Sequence, residues 1–133
     1  MPSDPDIRPI RPGDADAWLR LRTAMWPDGV SDHPHEIAAF FAHTIAEPMA
    51  VFVAETSGQC VAILELAIRT DLPELPNQEV GYIEGLYIIP EFRGQHLAKL
   101  LLRTAQSWAR QQHCTAFASD RAGRIILDPH YRP

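Results

Sequence analysis

The sequence predicts one domain of the α+β or mixed α/β class, in the order strand, helix, helix, three strands, helix, strand. Three observations lead there. Met49–Glu55, Val61–Ile68 and Val80–Ile89 are apolar, rich in β-branched residues and separated by turn chemistry, which reads as an antiparallel meander. Residues 94–111 carry Leu97, Leu100, Leu101, Thr104, Ala105 and Trp108 at i, i+3, i+4, i+7, i+8 and i+11, one stripe of a helix lying on a sheet. A short strand, Thr115–Ala118, follows, so this helix crosses over to a strand that can run parallel to Val80–Ile89.

The elements follow in order. Residues 1–6 are polar and Pro-rich and are expected to fray. Ile7-Arg8-Pro9-Ile10 reads as a first strand, and Pro12-Gly13-Asp14 as a turn with Asp14 capping a helix. In that helix Ala17, Leu21, Ala24 and Met25 recur at helical spacing with Trp18 beside them, and Pro27-Asp28-Gly29 ends it. Residues 28–36 form a loop dense in acids and histidines. Ile37, Phe40, Phe41 and Ile45 give a second short helix, stopped at Pro48. Ser57-Gly58 turns the first pair of meander strands, and residues 72–78, with two prolines, are a loop. Val80–Ile89 is apolar on both faces and therefore central.

Composition narrows the functional classes. A chain of 133 residues, 46% hydrophobic and 22% charged, is a globular single domain, residues 1–133, rather than a disordered one. No apolar run approaches the ~20 residues of a membrane span. The first residues lack a basic and an apolar region, so no secretory leader is expected. A net charge of −5 disfavours nucleic acid and suits a cationic partner. Cys60 and Cys114 form no C-x-x-C and no metal pattern, which fits a reduced, cytoplasmic protein. In Asp32-His33-Pro34-His35-Glu36 the two histidines cannot share a helical face and no third ligand is evident, so no metal is expected.

The chemistry concentrates in Ile83–Lys99. A strand, a proline and a Gly-containing turn open a helix there, leaving backbone N–H groups and the helix dipole to face an anion, with Arg93 and Lys99 adding positive charge. Glu84 is a carboxylate inside an apolar run, either turned to solvent from an open sheet face or, if desolvated, a stronger base.

Leu86-Tyr87-Ile88-Ile89-Pro90-Glu91-Phe92-Arg93-Gly94-Gln95 followed by Leu97-Ala98 resembles the acyl-CoA-binding signature of the GNAT N-acetyltransferase superfamily, Arg/Gln-x-x-Gly-x-Gly/Ala after a hydrophobic strand. Arg93, Gly94, Gln95 and Ala98 fit it, whereas His96 stands at the first signature glycine. Leu21-Arg22, Met25-Trp26-Pro27, Ala67-Ile68-Arg69-Thr70-Asp71, Ile83-Glu84-Gly85 and Ala118-Ser119-Asp120 extend the likeness over residues 7–120, where the chain is similar to the aminoglycoside 6'-N-acetyltransferases.

The resemblance implies the GNAT fold, a mixed and mostly antiparallel central sheet flanked by helices. It implies transfer of acetyl from acetyl-CoA to a primary amine of an aminoglycoside antibiotic, no metal, and a homodimer. Backbone groups of Leu86, Tyr87 and Ile88 would pair with the pantetheine arm and thioester. Those of Gly94, Gln95, His96, Leu97, Ala98 and Lys99 would hold the pyrophosphate, with Arg93 at the entrance. Glu84 would be the general base, through water. Trp26 and Asp120 would line the acceptor site; on the residues alone Trp26 could equally be core and Asp120 a cap or Asx turn. Asp28, Asp32, Glu36, Asp71 and Glu74 are further acids for a polycation. The alternatives are a GNAT enzyme for another small amine, or an inactive protein that keeps the fold.

Two departures carry consequences. His96 is harmless at helical φ/ψ, but at positive φ it weakens binding. Residues 121–133 lack helical periodicity and do not resemble the family's next helix, as though the frame shifted or the gene was cut near Asp120. The fold is expected to be truncated after the fifth strand. That leaves an open sheet edge unless a second copy, or Ile125-Ile126-Leu127, covers it.

Overall fold

A computed structural model describes residues 5–30, 32–94 and 96–133. Its elements are β1 (Asp6–Pro9), α1 (Ala15–Met25), α2 (His33–Phe41), β2 (Ala50–Thr56), β3 (Gln59–Arg69), β4 (Val80–Ile88), α3 (Leu97–Gln111), β5 (Ala116–Arg121) and β6 (Arg124–Leu127). The strands form one sheet in sequence order. β1 to β4 and the β5–β6 pair are antiparallel, and β4–β5 is parallel, as the crossover through α3 requires. The expected α+β mixed sheet is therefore present.

Alternation along the strands divides the core between two faces. Ala62, Leu64, Leu66 and Ile83 meet Leu97, Leu101, Ala105 and Ala109 of α3. Val51, Val53 and Ile63 point the other way, to Trp18, Leu21 and Ile37 of α1 and α2. Trp18 is fully buried and meets Phe40 and Phe41 edge to face at 5.1 and 5.8 Å, which fastens α2 to α1. Gly81 lets α3 approach the sheet: a Cβ there would lie 2.6 Å from Ala109 Cβ.

Several expectations are corrected. α2 begins at His33, inside the expected loop, because Pro34 in the first turn has the φ of a helix and its missing N–H is one the helix would not use. It ends at Phe41, short of Ile45. In α1 the buried residues are Trp18, Leu21 and Arg22, while Ala24 is exposed. Asp14 occupies the N-cap position without capping α1: its carboxylate accepts from Arg8 at 2.8 and 3.0 Å and from the Arg11 N–H at 2.8 Å.

The largest correction concerns residues 121–133. The sheet does not stop at a fifth strand: of the coverings left open for its edge, Ile125-Ile126-Leu127 supplies one. Ala122 and Gly123 take φ of 52° and 77°, the two-residue hairpin geometry that matches strand twist, and Arg124–Leu127 pairs with β5 as a sixth strand. Tyr131 then folds back into the core. Its ring stacks on Phe117 at 5.7 Å, its hydroxyl donates to the Cys114 carbonyl at 2.9 Å, and it is 5% exposed.

Candidate active site

The site originates in a register fault. Between Glu65 and Leu66 of β3 the pairing with β4 slips by one residue, making Glu84 the extra residue of a bulge. A bulge bends its strand and sharpens its twist. β4 pairs with β5 only over Val80–Ile83, although it runs on to Ile88 and β5 to Arg121. Beyond Ile83 that edge of β4 has no strand partner among the described residues. The diverging strands open a cleft of about 480 Å³, lined among others by Glu84, Gly85, Leu86, Ala98, Lys99 and Asp120.

The N-terminus of α3 faces this cleft. The N–H groups of Leu97, Ala98 and Lys99 precede the first intrahelical bond, from Leu100 to the His96 carbonyl at 3.1 Å, and no acid stands in the first turn. N–H groups with no acceptor among the described residues, the positive end of the dipole and the Lys99 ammonium suit an anion. Gly94 has φ of 77°, and His96 has φ of 66°. His96 is thus a left-handed residue at the helix boundary, the strained case of the two that the sequence leaves open. Arg93 closes the turn: its Nε donates to the Ile88 carbonyl at 2.8 Å and its guanidinium lies 5.4 Å from the Tyr87 ring centre. Leu86 is exposed, Tyr87 half-buried and Ile88 buried. Gln95 lies outside the described residues.

Glu84 is half-buried and does not simply face water. Arg69 Nε and a terminal Arg69 nitrogen donate to its two oxygens at 2.9 and 2.7 Å. Arg69 reaches Glu84 by lying along β4, its guanidinium 4.0 Å from the Tyr82 ring centre. Glu84 therefore has a compensating charge that the sequence reading lacked. Two of the four or so lone-pair positions of a carboxylate are taken, and the others remain for water or an amine. Tyr82 is 1% exposed. Burial and the charge of Asp120 push its phenol up from the ordinary value.

Asp120 lines the cleft with Glu84 and also accepts the Gly123 N–H at 3.1 Å, the Asx turn that the residues alone suggest. Trp26 packs on the other side of Gly85: a Cβ at Gly85 would lie 2.8 Å from its ring. Its carbonyl accepts His33 Nε2–H at 2.9 Å, which draws His33 inward, while His35 is exposed. Glu36 is bound by Arg22 at 2.9 Å, and Asp28, Asp32, Asp71 and Glu74 are exposed. Asp71 lies with Glu47, Thr70 and Arg69 around a polar depression of about 410 Å³. Cys60 and Cys114 are buried thiols pushed up by desolvation, unsuited to nucleophilic work.

Sequence reasoning named Arg22 and Arg69 only inside family-like segments and gave no role to either, nor to Tyr82 or Glu65. The signal available was Glu65 itself, a carboxylate inside an apolar strand, the same signal that singled out Glu84.

A mixed sheet whose central parallel pair splays over a helix N-terminus is the architecture of an acyl-CoA-dependent acyltransferase. Residues 15–125 match the Acetyltransferase (GNAT) family, and the chain belongs to that family. It is similar to the aminoglycoside N(6')-acetyltransferase type 1 of Klebsiella aerogenes, 38% identical over 122 residues, 90% of this chain and 80% of that one. Among solved structures it resembles the apo aminoglycoside 6'-N-acetyltransferase AAC(6')-IG of Acinetobacter haemolyticus, with a TM-score of 0.77, 34% identity and coverage of 88% and 79%. It also resembles AAC(6')-Iy in complex with the bisubstrate analog CoA-S-monomethyl-acetylneamine, with a TM-score of 0.79, 26% identity and coverage of 90% and 81%. No helix among the described residues is long and apolar enough to cross a membrane.

Proposed function

We propose that this chain is a single-domain aminoglycoside 6'-N-acetyltransferase that moves acetyl from acetyl-CoA to a primary amine of the antibiotic. The observation that carries the reading is the placement of Glu84 and Asp120 in one cleft, between an unpaired strand edge and the open N-terminus of α3. The residues fit acetyl-CoA: N–H groups of Leu97, Ala98 and Lys99, with Gly94, would hold the pyrophosphate, and the edge over Leu86–Ile88, where the Ile88 carbonyl already accepts from Arg93, would pair through its remaining groups with the pantetheine arm. Acetyl-CoA supplies a thioester, an activated acetyl group. The chain supplies the rest. Glu84 accepts the proton of the incoming ammonium through water, so that the nitrogen has a lone pair for attack. An N–H on the free edge of β4 stabilises negative charge developing on the carbonyl oxygen as the nitrogen adds. Collapse then breaks the C–S bond, and CoA leaves as a thiolate that takes up the second proton shed by the nitrogen, giving the amide and free CoA. Trp26 and Asp120 border the acceptor, and Asp71 and Glu47 offer carboxylates for its other ammonium groups. The reading places the enzyme in the cytoplasm, where acetyl-CoA is made and thiols stay reduced. It also makes the enzyme a homodimer, joined where Leu102, Ile126 and Leu127 stand exposed beside the β6 edge.

A thiol-release assay tests this reading. Release of free CoA that depends on an aminoglycoside is expected. Release with a polyamine such as spermidine, and none with aminoglycosides, would transfer the proposal to another small amine.

His96 gives a second test. Glycine there is expected to raise the melting temperature by roughly 2–4 °C, since relief of the left-handed strain exceeds the added chain entropy by up to ~1 kcal/mol. Glycine should also tighten acetyl-CoA by clearing the rim of the pyrophosphate site. Thermal melts and calorimetry check both; a lower melting temperature would mean that the imidazole makes contacts worth more than the strain.

A further inference from the structure

Glu65 is 1% exposed, on a strand whose other central residues are apolar, and nothing in the proposed reaction uses it. It points from β3 toward α1, and its cross-strand partner is Gly85, next to Glu84. Cross-strand partners project from the same face, so beside the Glu65 side chain there is a gap above Gly85. The Trp26 indole fills that gap, together with the end of Met25.

Arg22 joins the two. Glu65 Oε2 accepts Trp18 Nε1–H at 2.9 Å and Arg22 Nε–H at 3.0 Å, while Oε1 accepts a second Arg22 nitrogen at 3.3 Å. The remaining terminal nitrogen of Arg22 donates to Glu36 of α2 at 2.9 Å. The guanidinium lies 5.2 Å from the Trp26 ring centre and 5.9 Å from that of Trp18. Arg22 is thus held by Glu65 and Glu36 and faces both indoles, and Glu65 is held by Trp18 and Arg22. A buried ion pair is seldom more stabilising than apolar residues of the same shape, and the geometry it imposes is a better account of its presence.

We propose that Glu65 is a positioning residue for the acceptor wall: through Arg22 it holds the Trp26 indole against Gly85 and ties Glu36 of α2 to the same point. The proposal rests on the reading of Trp26 as an acceptor contact, and its test separates the two. In Glu65→Gln the KM for the aminoglycoside is expected to rise about tenfold, while the dissociation constant of acetyl-CoA stays within about twofold. The double variant Glu65→Gln/Arg22→Leu should recover most of the melting temperature, because no charge is left buried and the amide oxygen still accepts Trp18 Nε1–H, but it should not recover the acceptor KM. A purely structural role requires both to recover together, and that result would overturn the proposal.

A second readout needs no turnover. In protein labelled with 5-fluorotryptophan, the ¹⁹F resonance assigned to Trp26 by Trp26→Phe should shift or broaden in Glu65→Gln while that of Trp108 stays in place. An unmoved Trp26 resonance would overturn the positioning role whether or not aminoglycosides are substrates. A shifted resonance with an unchanged acceptor KM would retain the link to Trp26 but remove its role in the acceptor wall, and so overturn the proposal as stated. If Glu65→Gln melts below the assay temperature, Arg22→Lys carries the same measurements, since it keeps the charge and loses the fork.

Discussion

Replacing Glu84 by glutamine is expected to lower kcat about 100-fold or more and to leave acetyl-CoA affinity within about twofold, the signature of a lost general base. The amide is nearly isosteric but accepts no proton. The two Arg69 bonds at 2.9 and 2.7 Å turn the carboxylate of Glu84 toward β3, and the side chain is 17% exposed, enough for one water to reach it. The cofactor contacts proposed for Leu86–Ile88 and Leu97–Lys99 are backbone contacts and do not pass through this side chain. Steady-state kinetics with saturating aminoglycoside, together with a calorimetric titration of the variant, separate the two quantities. A kcat within about twofold of wild type would remove Glu84 from the proton transfer. It would then leave the ion pair with Arg69 as its whole role.

The second large effect is on stability. Tyr131→Ala is expected to cost about 3 kcal/mol and to lower the melting temperature by roughly 10 °C. The ring is buried against Phe117 at 5.7 Å, and its hydroxyl satisfies the buried carbonyl of Cys114. The guanidinium of Arg110 lies 5.3 Å from the ring centre on the solvent side. Tyr131→Phe isolates the hydroxyl and should cost only about 1 kcal/mol. Circular dichroism melts of both variants check the pair. An unchanged melting temperature in Tyr131→Ala would mean that residues after β6 contribute nothing to the fold.

These two side chains also show what the sequence could reveal. Glu84 stood out because a carboxylate interrupts an apolar strand, and α3 because Leu97, Leu101, Ala105 and Trp108 keep a strict helical period. Both signals are local. Tyr131 had no such signal, since its partners Phe117 and Cys114 are distant in sequence and β6 reaches them through a hairpin turn. That turn requires a left-handed backbone at Ala122, a residue type that seldom adopts it. The partners of Glu84 and Glu65 were hidden for a related reason. Arg69 is 15 residues from Glu84, and Arg22 is 43 from Glu65. What brings them together is the register of β3 on β4, with its one-residue slip, which no periodicity records. The conformation of His96 was equally closed to inspection, because the residue is compatible with either side of a helix boundary. The start of α2 was missed although it had a local signal: Pro34 suits a first helical turn, but the acids and histidines around it read as a loop.

The measurement that bears most directly on the proposed enzyme is a calorimetric titration of the 133-residue chain with acetyl-CoA. Saturable one-to-one binding that weakens as salt is raised is the expected result, because the site pairs an anionic pyrophosphate with a helix N-terminus and Lys99. Absence of binding by a sample that melts cooperatively would contradict it: the divergence of β4 and β5 at Glu84 would then be a feature of the family's fold without its cofactor site.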